Sequence, residues 1–200
     1  MIRITYALLF GAYFGMIQTA YFFGLEILLT AAYTSFVTAT LAWIGGAIAG
    51  LFLPDGHGTA QSSTSPAGPL VVGPLIGWHV AGLAAYYITS ALLFSFPYNF
   101  AILPFCLPLI MVSGAQTGHF FRVNQPFFPT TAQLFLWENN GFIIGWLAGF
   151  TGFVVFGIQF LRFGPAALGL ALAPLIFLRA RSARVEQKEP TGEERAPHHS

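Results

Sequence analysis

Apolar residues in this chain occur in long runs separated by brief polar breaks, and the length of each run sets the predicted elements. A helix needs about 20 apolar residues to cross the hydrocarbon core of a bilayer. On that measure the pattern predicts six spans, at about 3–25, 36–53, 70–94, 100–121, 133–160 and 164–178. Glu26 to Ser35 reads as the first turn, and Pro54 and Asp55 close the second span. The stretch PDGHGTAQSSTSPAGP from Pro54 to Pro69 has no apolar face to bury and reads as an extramembrane loop. Further breaks fall at Ser95 to Asn99, at RVNQPFFPTT (Arg122 to Thr131), and at Arg162, Gly164 and Pro165. Pro104 and Pro108 are expected to kink the fourth span, because proline removes a backbone donor and crowds the preceding turn. Residues 180–200 invert to a charged sequence expected to be disordered.

Small residues recur inside these runs at helical spacing. Gly141, Gly145 and Gly149 fall every four residues in LWENNGFIIGWLAGF, and Ala42, Gly46 and Gly50 do so in the second span. Each set marks a face on which a neighbouring backbone can approach closely. Gln18, Phe22 and Glu26 also share a face, near Gly11 and Gly15, and are expected to pack inward. Glu138, Asn139 and Asn140 sit at the expected mouth of the fifth span, and Arg122 at the end of the fourth. Polar groups at such depths are costly against lipid, so Gln18, Glu26, Arg122, Glu138, Asn139 and Asn140 are the candidate intramembrane polar residues. Glu26 lies toward one end of its span and Glu138 toward the opposite side of the membrane, so the two carboxylates are not expected to form an acid–base dyad.

Composition agrees with lipid as the main solvent. The chain of 200 residues is 56% hydrophobic and 8% charged, whereas a soluble domain carries about 25% charged residues. A formal net charge of +1 carries no signal for nucleic acid. Cys106, alone, allows neither an internal disulfide nor a cysteine metal site. His57, His198 and His199 lie in polar stretches without partners at ligand spacing, so no metal is assigned. His79 and His119 raise the possibility of haem ligation from two helices, but their different expected depths favour hydrogen-bonded positions at helix interfaces. No cofactor is assigned. No Ser-His-Asp set, phosphate loop or metalloprotease helix is present, so a catalytic reading has no starting residue.

Basic residues orient the chain, because translocated loops avoid Lys and Arg. With both termini cytoplasmic, Arg3, Arg122, Arg179, Arg181, Arg184, Lys188 and Arg195 lie inside and Arg162 outside. The expectation is a multi-pass protein of the cell's inner (plasma) membrane.

Three stretches together resemble a known family: FGLEILLTAAYTSFVTATLAWIGGAIAG (Phe23 to Gly50), LPFCLPLIMVSGAQTGHFFR (Leu103 to Arg122) and LWENNGFIIGWLAGF (Leu136 to Phe150). They are similar to the membrane region of multi-pass, spermidine-synthase-like proteins, with Glu26, Gly114, Arg122, Asn140 and Gly141 in the matching places. The chain departs from that pattern where Thr30 and Ala31 replace a basic residue and where AQTGH replaces the proline expected after Gly114. No soluble aminopropyltransferase domain follows within these residues. The resemblance therefore implies a stand-alone membrane module without polyamine synthesis of its own.

The fold expected is all-α and polytopic, with about six transmembrane helices and a disordered cytoplasmic C-terminal tail. The leading functional expectation is a non-catalytic integral-membrane subunit or assembly partner, joined to other membrane subunits or to itself. The alternative is a small transporter or half-transporter for a cation, a proton-coupled solute or a polyamine. An accessory role in polyamine metabolism follows from the resemblance alone.

Overall fold

In the computed structural model, residues 2–30, 32–53 and 72–188 are described. They form α1 (Ile2–Leu29), α2 (Ala32–Phe52), α3 (Val72–Ser95), α4 (Leu103–Asn124), α5 (Thr131–Phe156) and α6 (Ile158–Lys188), with short 3-10 turns flanking α4 at Phe100–Ile102 and Gln125–Phe127. Among the described residues these six helices are all long and apolar enough to cross a membrane. Their outward faces carry bare apolar side chains such as Leu41, Ile48, Leu147 and Val154, as lipid-facing helices require.

Several turns differ from the sequence expectation. α1 continues through Glu26 to Leu29 and α2 begins at Ala32, so Glu26 to Leu29 and Ala32 to Ser35 are helical rather than part of a turn, and Thr30, at φ 55, leaves the helix. Pro104 occupies the first turn of α4, where a missing N–H is harmless, so only Pro108 is internal to that helix. Arg162, Gly164 and Pro165 lie inside α6. The turn before them is made by Gly157, whose φ of 59 suits a residue without Cβ. α6 also runs on to Lys188, so residues 180–188 of the expected tail are helical, as Arg-, Glu- and Lys-rich sequence readily is. The loop containing His57 and the end containing His198 and His199 lie outside the described residues.

Two helix pairs form the frame. A Cβ built on Gly141 would collide with the carbonyl of Leu8, and one on Gly145 with that of Ala12. Reciprocally, Gly11 lies against the carbonyl of Glu138, and Gly15 against Phe142 and Trp146. The numbers rise together, so α1 and α5 run parallel with their backbones in contact. α2 and α4 repeat the arrangement. Gly46 lies against Met111 and Gly50 against Ala115, while Gly114 meets Trp43 and Gly118 meets Ala47 and Leu51. Such contacts replace the hydrophobic effect, which does not drive association between helices already in lipid.

These contacts correspond one for one. Gly11-Ala12-Tyr13-Phe14-Gly15 in α1 matches Gly114-Ala115-Gln116-Thr117-Gly118 in α4, and Gly46 and Gly50 in α2 match Gly141 and Gly145 in α5. Under this correspondence Gly46 on Met111 becomes Gly141 on Leu8, and Gly50 on Ala115 becomes Gly145 on Ala12. Gly114 on Trp43 likewise becomes Gly11 on Glu138, and Gly118 on Ala47 and Leu51 becomes Gly15 on Phe142 and Trp146. α3 and α6 complete the match, since a Cβ on Gly82 would meet the Gln116 side chain and one on Gly169 the Tyr13 ring. α1 and α4 run in opposite directions, with Phe10 stacked on Phe120 and Tyr21 bonded to Ser113. The chain is therefore an inverted repeat of two three-helix halves, α1–α3 and α4–α6, related by a pseudo-two-fold axis perpendicular to the helices.

Candidate functional site

A helix and its image lie on opposite sides of a two-fold axis, so the axis passes wherever the two touch. They touch at two places: α1 against α4, through Phe10 and Phe120, and α3 against α6, through His79 and Gly169. Buried polar side chains collect between these contacts. Tyr13, Tyr21, His79, Ser113, Gln116 and Thr117 are all within the core, although they come from three different helices.

Their hydrogen bonds form two chains across the axis. His79 donates from Nε2 to the Gly169 carbonyl at 2.8 Å, and its Nδ1 accepts from the Gln116 amide nitrogen at 3.0 Å. This arrangement fixes the neutral tautomer. Ser113 donates to the Gly82 carbonyl at 2.9 Å, leaving Tyr21 to donate to Ser113 at 2.8 Å. Gly82 and Gly169 are image positions, so the same backbone carbonyl receives a side-chain donor in each half. At the far end of the first chain the Tyr13 hydroxyl lies beside the Gln116 side chain and interacts with it, and Thr117 Oγ1 is buried without a hydrogen-bond partner. Buried polar atoms are rarely left so.

α3 also repairs a defect in α6. Pro165 has no N–H, so the carbonyl of Leu161 one turn earlier loses its helical partner. Tyr86 Oη donates to that carbonyl at 2.6 Å. Tyr87 Oη inserts one step further on, donating to the Arg162 carbonyl at 2.7 Å and accepting from the Ala166 N–H at 3.0 Å. In lipid a freed carbonyl must find such a substitute, so the two tyrosines tie α3 to an opened stretch of α6.

Between α3 and α6 lies a groove of about 350 Å³ that opens sideways, with His79 on its floor. A second, nearly closed space lined by Tyr21, Tyr86 and Leu161 is much smaller.

The residues singled out from the sequence are dispersed. Gln18, Phe22 and Glu26 are half-buried: they continue the edge on which Gly11 and Gly15 meet α5, whereas the most deeply buried side of α1 carries Tyr6, Phe10, Tyr13, Ile17 and Tyr21. Glu138 lies two turns inside α5 rather than at its mouth and is 5% exposed, with no charged partner for its carboxyl among the described residues. Asn139 and Asn140 point outward and are exposed. Arg122 is half-buried near the end of α4. Glu26 is about 22 Å along α1 from Gly11, the residue that meets Glu138, at 1.5 Å per residue. Gly46, Gly50, Gly141 and Gly145 lie at backbone contacts, and a Cβ built on Gly149 would lie 3.1 Å from the Thr19 side chain. His79 and His119 have different surroundings, His119 lying beside the Trp78 ring at 5.6 Å. No group of three metal-ligating side chains occurs among the described residues. Tyr13, Ser113 and Gln116 were not among the sequence candidates. The signal that points to two of them is the pair GAYFG and GAQTG, one in each half.

No protein-family model, curated protein or solved structure matches the chain.

Proposed function

We propose that the chain is a small membrane transporter whose solute site lies on the pseudo-two-fold axis. The observation that carries this reading is the inverted repeat with a buried polar cluster where its halves meet. Inverted halves can exchange conformations, and a site on the axis is then offered to each side of the membrane in turn. The axis holds uncharged groups. A cation, polyamine or proton-coupled route, as considered from the sequence, would depend on Glu138, the one fully buried carboxylate among the described residues. In this reading the protein resides in the inner membrane with both termini cytoplasmic, and reporter fusions at residue 200 and within 54–69 both report inside.

The test needs no knowledge of the solute. Thr117 lies on α4 in the buried band at the axis, and Cys106 is the chain's single cysteine. In a Cys106→Ala background, Thr117→Cys should react with a membrane-impermeant maleimide added to either side of sealed vesicles. Reaction from one side only, or from neither, would remove alternating access.

A second reading, a non-catalytic subunit or assembly partner, is favoured by α3. Gly73 and Gly77 have open space where a Cβ would sit, whereas Gly11, Gly46, Gly114 and Gly141 interlock with a neighbouring helix. The similarity to the membrane region of spermidine-synthase-like proteins belongs to this second reading.

A further inference from the structure

Numbers fall along α6 as they rise along α3, from His79 on Gly169 to Tyr86 on Leu161, so the two helices are antiparallel. They meet differently on the two sides of the His79 contact. Toward the end where α3 finishes and α6 begins, the pair is fastened at three points. Tyr86 Oη donates to the Leu161 carbonyl at 2.6 Å, Tyr87 Oη donates to the Arg162 carbonyl at 2.7 Å, and the Arg162 guanidinium lies 4.8 Å from the centre of the Phe94 ring. The space left beside Tyr86, Ser90 and Leu161 is about 10 Å³, barely the room one water needs. Toward the other end the helices part. The groove there holds about 350 Å³, and its α6 wall runs from Gly169 through Ala173 to Phe177.

The repeat shows what this difference rests on. Under the correspondence of Gly82 with Gly169, Tyr86 and Tyr87 become Ala173 and Pro174, and Pro165 becomes Trp78. Ala and Pro carry no side-chain donor, and Trp keeps its backbone N–H. The groove end therefore lacks both the hydroxyls and the freed carbonyl that fasten the opposite end. The image of the groove has Tyr86 and Ser90 where the groove has Ala173 and Phe177, so an exchange of shape between the halves would open the space that the tyrosines now close.

Resting on the transport reading, we infer that Tyr86 and Tyr87 are the gate that shuts the axis site toward the end where α3 finishes, and that the structure is the conformer open at the groove end. Opening the tyrosine end breaks specific bonds, whereas closing the groove breaks none of them. The groove-open conformer is thus the resting one.

Distances between paired spin labels report both ends in the full chain, held in nanodiscs in a Cys106→Ala background. Ile88→Cys with Phe163→Cys spans the fastened end, and Gly73→Cys with Phe177→Cys spans the groove end. Ile88, Phe163 and Phe177 are more than half exposed, and Gly73 has open space for a larger side chain. With both tyrosines present, the first pair should give a single narrow distance population. Tyr86→Phe combined with Tyr87→Phe should move that population to longer distances and shorten the groove pair. Pro165→Ala restores a helical donor to the Leu161 carbonyl, so the double substitution repeated with Pro165→Ala tests the gate without leaving that carbonyl unpaired. A first pair unchanged in both backgrounds, or one already broad with the tyrosines present, would overturn the inference. Thr117→Cys accessibility keeps the two readings apart. A lengthened first pair with one-sided accessibility supports the gate and removes transport, whereas two-sided accessibility with an unchanged first pair keeps transport and removes this gate.

Discussion

The two halves of the molecule share a scaffold and differ in what they hang on it. On α1 the positions nearest the axis are Phe10, Tyr13 and Phe14; their counterparts on α4 are Ser113, Gln116 and Thr117. At these matched positions α1 supplies aromatic bulk and α4 supplies hydrogen-bonding groups, which Tyr21 and His79 of the first half meet. The glycines at the α1/α5 and α2/α4 contacts are equivalent, because a Cβ there would displace a backbone in either half. Where α5 meets Gly11 it carries Glu138, whereas α2 carries Trp43 at the matching place. Backbone geometry is thus held in common while the matched interior positions differ in chemistry. A transporter needs that combination: near-equivalent halves to exchange shape, and a distinctive surface to recognise a solute.

The largest expected effect tests the equivalence of the frames. Gly145→Leu and Gly50→Leu each place a branched side chain where a carbonyl now lies. Overpacking a core commonly costs about 1–3 kcal/mol, and separating two backbones should reach or pass the upper end. Both variants should lose monodisperse protein in mild detergent to a similar degree. Collapse of one with survival of the other would break the correspondence between α1/α5 and α2/α4.

A smaller effect should distinguish the chemistry of the halves. Gln116→Leu removes the donor to His79 and should lower thermal stability by about 1–3 kcal/mol. Tyr13→Phe, its counterpart, removes a hydroxyl that interacts with Gln116 and should lower stability by less, about 0.5–1 kcal/mol. Equal losses in detergent melting would mean that the polar side of the axis is not special.

Glu138→Gln keeps side-chain shape and removes a buried charge. Assembly should be intact, with stability within about 1 kcal/mol of the parent protein or raised. Vesicle uptake is the sharper readout: unchanged cation- or proton-coupled uptake in this variant would take Glu138 off any solute path.

The mildest change is Gly77→Ala on the outer face of α3. Nothing lies within 4 Å of the added methyl, and replacing a mid-helix glycine should stabilise by up to about 1 kcal/mol. A loss of higher-order assembly, seen by native mass spectrometry, would instead show that this face docks against a second copy or another subunit.

Much of the architecture is legible in the sequence, and the errors have identifiable causes. Proline and glycine mark breaks only when their surroundings cannot repair them. Pro165 reads as a turn until Tyr86 and Tyr87, far away in sequence, are seen to satisfy the carbonyls around it. The real break, Gly157, sits in an apolar run whose nearest polar residue, Gln159, is followed by further apolar residues. Gln18, Phe22 and Glu26 read as an inward face because they continue the Gly11 and Gly15 edge, which does meet α5, but they are only half-buried and the other side of α1 is buried more deeply. That side carries most of the aromatic core, and 67% of the span is buried against 22% of α5.

The sequence by itself determined the class of the molecule, the number of helices long enough to cross a membrane, and the edges on which backbones approach closely. Each is a local property: apolar length sets a span, and a glycine every fourth residue makes a flat edge whatever lies opposite. Tertiary structure alone decided which edges meet, that the two halves are inverted copies, and that Tyr13, His79 and Gln116 share one centre. Lipid is as apolar as leucine, so no hydrophobic periodicity records which face turns inward. The pairing depends on backbone register between helices remote in the chain, and the bond between His79 and Gln116 exists only once α3 and α4 have packed.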